Sequence, residues 1–358
     1  MRLLEVAPFV SVIDERREQI GGAQAILADL ARGLAERGHE VYLAAAKGSH
    51  VAGTISVPLE IDPSAFSPAS FSARRDRQDD EAQREAFARV RRWLDAHAEI
   101  EVVHAHAYDA PAFAALEGAR ARVFHTLHLP PLDPAVVDGV RHAEDARRVT
   151  VSRANADAWV SAGVPIHAIV PNGIALERVP FGEDAGSYLV CAGRIAPEKG
   201  TDVAVRAASA AGLPLAIVGG VYDRMYHERC VGPHVRPEES WSPPTEGAVY
   251  YGPQPRQALH AILAGAAATL MPVRWDEPFG IVALESLAAG TPVVAFARGG
   301  LAELIDESCG VLVTPGAEDA FAGAIPRALR IDRRACRARA ERFSLAAMLD
   351  AYEEVLAT

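Results

Sequence analysis

The sequence predicts an α/β protein built from two doubly wound, parallel-sheet domains. Short apolar segments of strand length alternate with segments of helical period along most of the 358 residues. This alternation stops at an irregular stretch, 168–187, that contains Pro, Gly and Asn, and then it begins again. The length also suits two domains, because each half is large enough to bury a core of its own.

The first half opens with a strand, a helix and a second strand, at 3–7, 23–38 and 41–46. Later strands are predicted at 100–105, 121–126 and 148–152, and helices at 80–97, 109–119, 134–145 and 153–162. Continuous apolar strands separated by helices indicate a parallel sheet covered on both faces. We therefore place a first domain at residues 1–170.

The second half repeats this pattern. Its strands are predicted at 188–193, 215–220, 248–252, 268–273, 292–296 and 310–314, with helices between them. The segment 225–247, rich in Pro and His, is predicted to be a loop. A second domain at 171–343 follows from this pattern, with a last helix at 344–358.

Composition excludes several classes of function. The net charge of −11 argues against a nucleic-acid partner, because contacts to the phosphate backbone need clustered Lys and Arg. The four cysteines form no CxxC pair and lie far apart, which indicates reduced thiols in a cytoplasmic protein. No targeting segment is expected, because Arg2 and Glu5 lie within a very short apolar stretch at the start of the sequence. No feature of the sequence indicates an oligomeric state.

No membrane-spanning segment is predicted. The longest uncharged apolar run, 261–273, is shorter than the roughly 18 residues that a transmembrane helix needs. The segment 86–97 combines apolar residues and Arg as an interfacial helix would, but a core-facing helix explains it equally well. Acidic residues at 76–85 weaken its attraction to anionic lipid, so peripheral membrane contact is not favoured.

Glycines mark the first turn that could bind a ligand. Ligands of open α/β sheets bind at the carboxyl ends of the strands. Gly21 and Gly22 precede the first predicted helix, where its free amides could receive an anion, although a flexible turn explains them equally well. No strand is followed by GxGxxG, and GxxxxGK[ST] does not occur, so neither common nucleotide fingerprint is present.

A second such turn, 193–200, has the sequence GRIAPEKG. Arg194 and Lys199 flank its proline, so two cations could converge on one phosphate group. Only two of the 36 basic residues are lysines, Lys47 and Lys199, which suggests that a lysine is required here. A merely solvated pair is disfavoured, because cations at a helix start oppose the helix dipole unless an anion joins them.

Two glutamates lie in the mostly apolar segment 274–290. Pro278 suits an early helical position, and the helix is predicted to end at Gly290. Glu285 would lie on its buried face and needs a polar partner, for which a pair of ligand hydroxyls is a natural choice. Glu277 would lie beside the amides of Phe279, Gly280 and Ile281, and its alternative role is that of an ordinary acid at a helix N-terminus.

These residues resemble a family, the GT-B retaining glycosyltransferases of family 4, which includes glycogen-synthase-like enzymes. The family motif of two Glu separated by seven residues is present as EPFGIVALE, from Glu277 to Glu285. The other matching motifs, in chain order, are IGGAQ, RGHEV, VVHAHA, TVSRANAD, VPNGI, GRIAPEKG and YYGPQP. The resemblance extends over nearly the whole chain, and it is the order and spacing of the motifs that make it specific.

The resemblance implies the GT-B fold, in which two Rossmann-like domains face each other across a cleft and the last helix packs back on the first domain. It implies a catalytic set of His106, Arg194, Lys199 and Glu277, with His106 facing the sugar, the two cations holding a diphosphate and Glu277 binding the donor sugar. The implied donor-binding residues are Gly21, Gly22, Gly193, Phe279, Gly280, Ile281 and Glu285, the last of which would bind ribose hydroxyls. His128, at the end of a strand, is an acceptor-side candidate.

The implied reaction is the retaining transfer of a hexose from a nucleotide-diphosphate sugar, UDP-linked rather than GDP-linked, to a hydroxyl of a small molecule, saccharide or lipid-linked glycan. No cofactor and no metal are implied. His104 and His106 share a strand face, but a metal site is set aside because no carboxylate or Cys partner is evident at ligand spacing. A GT-B partner protein without activity and a GT-B nucleotide-sugar epimerase remain as alternatives.

Overall fold

The computed structural model describes residues 1–14, 22–66, 77–184 and 186–358. These residues form two compact units, which we treat separately. The first unit contains Met1–Gly173 together with Leu345–Thr358, and the second contains Ile174–Ser344.

The first unit contains a seven-stranded parallel sheet of order β3-β2-β1-β4-β5-β6-β7. Its strands are β1 (Arg2–Val6), β2 (Glu40–Ala44), β3 (Ile55–Ser56), β4 (Val102–Ala105), β5 (Arg122–Leu127), β6 (Arg147–Thr150) and β7 (Ala168–Ile169). Its helices are α1 (Gly22–Glu36), α2 (Arg77–Ala96), α3 (Ala110–Leu116), α4 (Pro134–His142) and α5 (Arg153–Ser161). The chain leaves β1 towards β2 and later returns to its other side as β4, so the strand order reverses between β1 and β4.

Local sequence explains where these elements begin. The Ser152 hydroxyl accepts a hydrogen bond from the amide of Asn155 and caps α5, and Asp133 caps α4 just ahead of Pro134. The fully buried Trp159, Phe87 and Phe113 lie in the apolar core of this unit. The predicted strands and helices of the first half are all present, with boundaries that differ by a few residues.

The C-terminal helix, Leu345–Ala357, packs against α1 in this unit. A Cβ at Gly33 would lie 2.6 Å from Leu349, so only glycine allows this approach without displacing Leu349. Glu353 accepts hydrogen bonds from Arg37 at 2.5 Å and contacts His39 at 2.7 Å. These contacts attach the last segment of the chain to the first unit.

The second unit contains another seven-stranded parallel sheet, of order β10-β11-β9-β8-β12-β13-β14. Its strands are β8 (Leu189–Ala192), β9 (Leu215–Val218), β10 (Arg236–Pro237), β11 (Ala248–Tyr250), β12 (Ala268–Met271), β13 (Val293–Phe296) and β14 (Gly310–Val313). Its helices are α6 (Thr201–Ala211), α7 (Arg224–Tyr226), α8 (Arg256–Ala264), α9 (Ile281–Ala288), α10 (Leu301–Leu304), α11 (Glu318–Ala328) and α12 (Arg333–Glu341). Here the strand order reverses between β8 and β12. The predicted α/β class with two parallel sheets is confirmed.

The prediction of a loop at 225–247 is wrong for its first part. Helical turns continue from α7 to His234, and the short strand β10 follows. Asp223 starts this segment, because its side chain accepts a hydrogen bond from the amide of Tyr226 at 2.8 Å. Tyr226 in turn donates a hydrogen bond from its hydroxyl to Asp202 on α6. This distant contact fixes a segment whose Pro and His content is typical of a loop.

Within the described part of the chain, no helix combines the length and the apolar character that crossing a bilayer would require.

Candidate active site

The loops that follow β8 and β12 lie side by side in the second unit. These two strands are neighbours where the strand order reverses, which is where ligands of doubly wound sheets bind. Gly193, Arg194 and Lys199 follow β8, and Glu277 follows β12. Residues that are 78 positions apart in the sequence therefore meet at one edge of the sheet.

Lys199 and Glu277 form the central contact of this site. The Lys199 Nζ donates to Glu277 Oε2 at 2.6 Å, and the two side chains are 19% and 12% exposed. The Trp275 indole N–H donates to the same carboxylate oxygen at 2.7 Å. Lys199 Nζ also lies 4.8 Å from the centre of the Trp275 ring, within the range of a cation–π contact. The ammonium and the carboxylate are thus held in place but remain accessible.

Arg194 lies on the same loop as Lys199. Its guanidinium is 5.1 Å from the centre of the Tyr222 ring and 3.6 Å from Glu198. Gly193, just before it, has φ +141°, and a Cβ at this position would meet no atom within 4 Å. The backbone at Gly193 therefore borders open space beside the Arg194 side chain, which suits the close approach of a ligand.

Glycines let the surrounding loops pack this closely. A Cβ at Gly200 would lie 2.1 Å from the carbonyl oxygen of Pro272, and one at Gly299 would lie 2.3 Å from that of Glu277. The amide of Gly300 donates to the Glu277 carbonyl at 2.7 Å. The backbone of Glu277 is therefore fixed independently of its side chain.

Arg274 joins the two loops from the other side. It donates to Asp202 Oδ2 at 2.7 Å, and its amide donates to the carbonyl of Glu198 at 2.8 Å. Burial alone would raise the pKa of Asp202, but Arg274, Tyr226 and Arg206 outweigh it and lower that pKa. Because Asp202 stays ionised, this contact fixes the turn that carries Lys199.

The helix after this site begins later than predicted. Gly280 precedes α9 with φ +97°, so Pro278 lies before the helix and not within it. No side chain caps this helix in the described structure, and the first amides of a helix have no intrahelical partner. The amides at Ile281 and beyond therefore form an N-terminus suited to an anion, with Phe279 and Gly280 leading into it.

Glu285 is buried on α9, as predicted, and its polar partners are protein side chains. Arg256 Nε donates to its Oε1 at 2.9 Å, and His260 Nε2 lies 3.2 Å from the same oxygen. Burial by itself would raise the pKa of Glu285, but His260 and Arg256 outweigh it and lower that pKa. The carboxylate is therefore ionised and anchored through one oxygen.

The first unit brings together Glu5, His104 and His106 where its own strand order reverses. Glu5 lies opposite His104 in the pairing of β1 with β4, and His106 follows β4. Glu5 Oε2 lies 3.2 Å from His104 Nδ1 and 3.0 Å from His106 Nε2. All three side chains are buried. Burial alone would raise the pKa of Glu5, but His104 and His106 lower it from 4.5 to about 2.

Two further side chains extend this cluster. His106 Nδ1 lies 2.8 Å from Nε2 of His128, which follows β5. His104 Nε2 lies 2.7 Å from the Thr126 hydroxyl, which also contacts the hydroxyl of Tyr352 in the C-terminal helix. Burial, with His104 nearby, lowers the pKa of His106 from 6.5 to about 4, and burial also holds that of His128 well below 6.5. His106 and His128 are therefore neutral at pH 7.

The expectation that no carboxylate accompanies His104 and His106 is wrong. Glu5 is the carboxylate that could not be identified from spacing, and it lies within 4.8 Å of both imidazole ligand atoms. The described residues supply three donor atoms, whereas a closed structural zinc site takes four. Each of the three side chains also has a hydrogen-bond partner without an ion. The geometry thus admits two interpretations, hydrogen bonding and metal binding.

The two glycines that were predicted to precede the first helix differ in what the structure shows of them. Gly21 lies outside the described residues, and Gly22 is the exposed first residue of α1. The structure brings together Arg194, Lys199 and Glu277, and separately His106 and His128. Sequence reasoning missed Glu5, Arg256, His260, Arg274 and Trp275. The one available signal was Glu5 itself, a single acid within a short apolar strand.

Comparison with known proteins identifies a family. Residues 177–343 match the family described as Glycosyl transferases group 1, and residues 20–178 match Glycosyltransferase Family 4. A D-inositol 3-phosphate glycosyltransferase of Saccharomonospora viridis is 33% identical over 246 residues, which cover 63% of this chain and 56% of the relative. A phosphatidyl-myo-inositol mannosyltransferase of Mycobacterium leprae is 27% identical over 348 residues, which cover 87% of this chain and 84% of the relative.

The match spans about half or less of the D-inositol 3-phosphate glycosyltransferases, from 34% to 56% of their length in four of them. Among solved structures, Anabaena HepE in complex with UDP-glucose is similar to this chain, with a TM-score of 0.72, 18% identity and complete coverage of both chains. At 18% identity, this structural similarity establishes the fold alone. The resemblance seen in the sequence is confirmed, and the chain belongs to the family 4 glycosyltransferases of the GT-B fold.

Proposed function

We propose that this protein transfers a sugar from a nucleotide-diphosphate donor to a hydroxyl of an acceptor substrate, with retention of configuration at the anomeric carbon. The observation that carries the proposal is the Lys199–Glu277 contact at 2.6 Å, with Arg194 on the same loop, where the strand order of the second unit reverses. This arrangement offers two cations for a diphosphate and one carboxylate for sugar hydroxyls. A nucleotide-diphosphate sugar has both a diphosphate and sugar hydroxyls for these groups to bind.

Lys199 and Arg194 would bind the diphosphate, with support from the amides at the start of α9. Arg194 can approach one phosphate as a planar fork, and Lys199 acts as a point charge. Glu277 is held by Lys199 and Trp275 through the same oxygen, Oε2. Its other oxygen would accept hydrogen bonds from the donor sugar.

Glu285 would bind the ribose. Arg256 and His260 both contact Oε1 of Glu285. Its Oε2 is the oxygen that would receive the ribose. Two ribose hydroxyls would donate to that carboxylate group. The interactions with Arg256 and His260 keep Glu285 ionised and oriented when no ligand is bound, which is a form of preorganisation.

The chemical step would depend on charge stabilisation at the leaving group. As the bond from the anomeric carbon to the diphosphate breaks, negative charge develops on the phosphate oxygen. The acceptor oxygen forms its bond to the same carbon from the same face, and the acceptor hydroxyl gives its proton to the leaving phosphate oxygen. Lys199 and Arg194 stabilise this charge, as a metal ion would elsewhere, so we propose transfer without a metal or cofactor. Losing one such preorganised contact typically costs about 100- to 1000-fold in rate.

Relatives suggest the substrates. HepE was solved with UDP-glucose, and other relatives are named for glycosyl transfer to inositol 3-phosphate or to phosphatidyl-myo-inositol. We therefore propose a UDP-sugar as donor and a polyhydroxylated compound, such as a cyclitol or saccharide, as acceptor. All four cysteines are free thiols, which fits a reducing compartment such as the cytoplasm.

The test is a transfer assay across UDP-, GDP-, ADP- and dTDP-sugars with cyclitol and saccharide acceptors, in which the anomeric configuration of the product is read by NMR. We expect an acceptor-dependent product that keeps the donor's configuration. Release of a changed sugar without an acceptor would indicate an epimerase, and nucleotide-sugar binding without any product would indicate a partner protein. An inverted product would contradict the retaining mechanism.

Lys199→Ala gives the matched test of the site, because the other lysine in the chain, Lys47, has an exposed side chain. We expect Lys199→Ala to lower kcat/KM by about 100- to 1000-fold and Lys47→Ala to leave it unchanged. Wild-type turnover in a folded Lys199→Ala variant would refute the site.

A further inference from the structure

Two aromatic side chains lie against the two cations of the candidate site. The Arg194 guanidinium is 5.1 Å from the centre of the Tyr222 ring, and Lys199 Nζ is 4.8 Å from the centre of the Trp275 ring. Both distances are within the roughly 6 Å over which a cation is attracted to the face of an aromatic ring. Both aromatic side chains are partly buried. Each cation therefore has an aromatic partner of its own.

The fold supplies one ring from each side of the loop that carries the cations. The strand β8, which leads into that loop, lies between β9 and β12 in the sheet. Tyr222 follows β9, and Trp275 follows β12. Because the three strands are parallel, the loops at their carboxyl ends lie side by side, and the outer two flank the loop with Arg194 and Lys199.

Tyr222 is fixed through the residue next to Arg194. The amides of Tyr222 and Asp223 both donate to the carbonyl of Ile195 at 3.1 Å. The Ile195 amide donates in turn to the Gly220 carbonyl at 2.8 Å, and the Ile195 side chain is fully buried. Because Ile195 directly follows Arg194, these bonds join the backbone that carries the ring to the backbone that carries the guanidinium.

Trp275 is fixed in the same way beside Lys199. The amide of Arg274, directly before Trp275, donates to the Glu198 carbonyl at 2.8 Å. Glu198 directly precedes Lys199. The Trp275 indole N–H also donates at 2.7 Å to Glu277 Oε2, the oxygen that Lys199 contacts. The ring, the ammonium and the carboxylate therefore hold one another in a single arrangement.

An aromatic partner suits a cation that has to bind a diphosphate. A carboxylate neutralises the cation that it holds, and its own charge repels an incoming phosphate. An aromatic face attracts the cation through its quadrupole but carries no net charge. A long Lys or Arg side chain also loses rotamer freedom when it binds a ligand, and a partner that orients it beforehand lowers that cost. The two rings thus orient the cations and leave their charge for the ligand.

We propose that Tyr222 and Trp275 are positioning residues, which hold Arg194 and Lys199 in the geometry that binds the diphosphate of the donor. The aromatic faces, and not the Tyr222 hydroxyl or the Trp275 N–H, act on the cations. That a diphosphate is the ligand rests on the function proposed above, whereas the ring contacts do not.

Calorimetric titration of UDP tests Tyr222. We expect Tyr222→Phe, which keeps the ring, to bind UDP as the wild type does. Tyr222→Leu should bind it about three- to thirtyfold more weakly, the strength of one cation–π contact. Tyr42→Leu, at a partly buried tyrosine of the first unit, is the control and should leave UDP affinity unchanged.

Uridine separates positioning of the cations from a structural role of Tyr222. It lacks the diphosphate, so the wild type and Tyr222→Leu should bind it equally in ligand-observed NMR titrations. A loss of uridine affinity as large as the loss of UDP affinity would overturn the proposal, because Tyr222 would then support the whole site or contact the base. UDP affinity in folded Tyr222→Leu that equals the wild-type value would also overturn it.

Lysine-selective NMR tests Trp275 without a ligand. The chain has two lysines, so carbon-13 labelling of lysine gives two signals for each labelled position, and Lys47→Arg assigns them. Protons over the face of an aromatic ring resonate upfield. We expect the Lys199 side-chain signal upfield of that of Lys47, and we expect it to move to the Lys47 position in Trp275→Leu. Coincident lysine signals in the wild type would overturn the contact.

Trp275→Phe separates the ring from its N–H, because phenylalanine keeps an aromatic face but cannot donate to Glu277. We expect Trp275→Phe to bind UDP nearly as the wild type does and Trp275→Leu to bind it about three- to thirtyfold more weakly. Trp93→Leu, at a partly buried tryptophan of the first unit, is the control. Equal losses in Trp275→Phe and Trp275→Leu would assign the effect to the N–H and overturn the proposal.

UDP-glucose distinguishes a positioning residue from a sugar contact. Trp275→Leu should weaken UDP and UDP-glucose by the same factor, whereas a loss confined to UDP-glucose would show that the ring faces the sugar and would overturn the proposal. If the wild type binds neither ligand, the proposed function fails, and the Lys199 signals still decide whether Trp275 holds the ammonium.

Discussion

A buried histidine in the first unit gives a prediction with a calculable size. His125 lies in β5, packs against the Phe113 ring at a centroid distance of 4.5 Å and is 1% exposed. Within the described part of the chain, neither ring nitrogen has a hydrogen-bond partner. Burial, with His104 and Arg148 nearby, lowers the pKa of His125 from 6.5 to about 3. This imidazole is therefore neutral in the folded protein and costs stability in two ways.

The first cost is independent of pH, because an unsatisfied buried polar group costs about 1–3 kcal/mol. The second appears in acid. Below pH 6.5 His125 is protonated in the unfolded chain, whereas in the folded protein it is protonated only below about pH 3. The free energy of unfolding therefore decreases as the pH falls through this window. Each pH unit in the window costs about 1.4 kcal/mol, which gives about 2 kcal/mol at pH 5.

We predict that His125→Leu removes both costs. Leucine is apolar and of similar size, and the cavity of about 60 Å³ that His125 lines leaves room for it. The variant should be more stable than the wild type by about 1–3 kcal/mol at pH 7, and by about 2 kcal/mol more at pH 5.

Urea unfolding followed by tryptophan fluorescence at both pH values measures the two differences. His142→Gln, at an exposed histidine, is the control and should change stability by less than about 0.5 kcal/mol. A less stable His125→Leu variant at pH 7, or a difference from the wild type that is the same at both pH values, would refute the reasoning.

Three further predictions concern the second unit. Arg274→Ala should lower kcat/KM and nucleotide affinity by about tenfold, because Arg274 holds the Lys199 turn through Asp202. Turnover and calorimetric assays measure the two effects. Arg298→Ala, at a looser and exposed ion pair of 3.4 Å, is the control. Gly280→Ala should cost about 1–3 kcal/mol in urea unfolding, since φ is +97° and a Cβ would lie 2.4 Å from Leu301. Glu285→Gln should weaken nucleotide binding and lower the melting temperature, because it replaces the charge-assisted hydrogen bond from Arg256 to Glu285 with a weaker, neutral one.

Much of the fold could be predicted because local sequence determines it. Continuous apolar strands, helical periods and the glycines at turns are properties of neighbouring residues, and they identified both sheets. The segment around Tyr226 could not be predicted in this way. Its helical turns depend on a hydrogen bond to Asp202, which is 24 positions away. The composition of the segment itself does not predict that contact.

The same distinction applies to the candidate site. Physical reasoning required a polar partner for a buried Glu285, but Arg256 and His260 reach it from α8, and their spacing follows no recognisable motif. Glu5 meets His106 across 101 positions, so sequence spacing concealed the carboxylate and led to a wrong reason for setting aside a metal site. Pro278 suggested an early helix start, yet the positive φ of Gly280 places the start at Ile281.

The most direct test of the central claim is calorimetric titration of UDP and UDP-glucose into the wild type, Lys199→Ala and Lys47→Ala. We predict that the wild type and Lys47→Ala bind both ligands alike, and that Lys199→Ala loses most of its affinity for each. Equal affinity in all three proteins, or no binding by the wild type, would contradict a nucleotide-diphosphate site at Lys199 and Glu277.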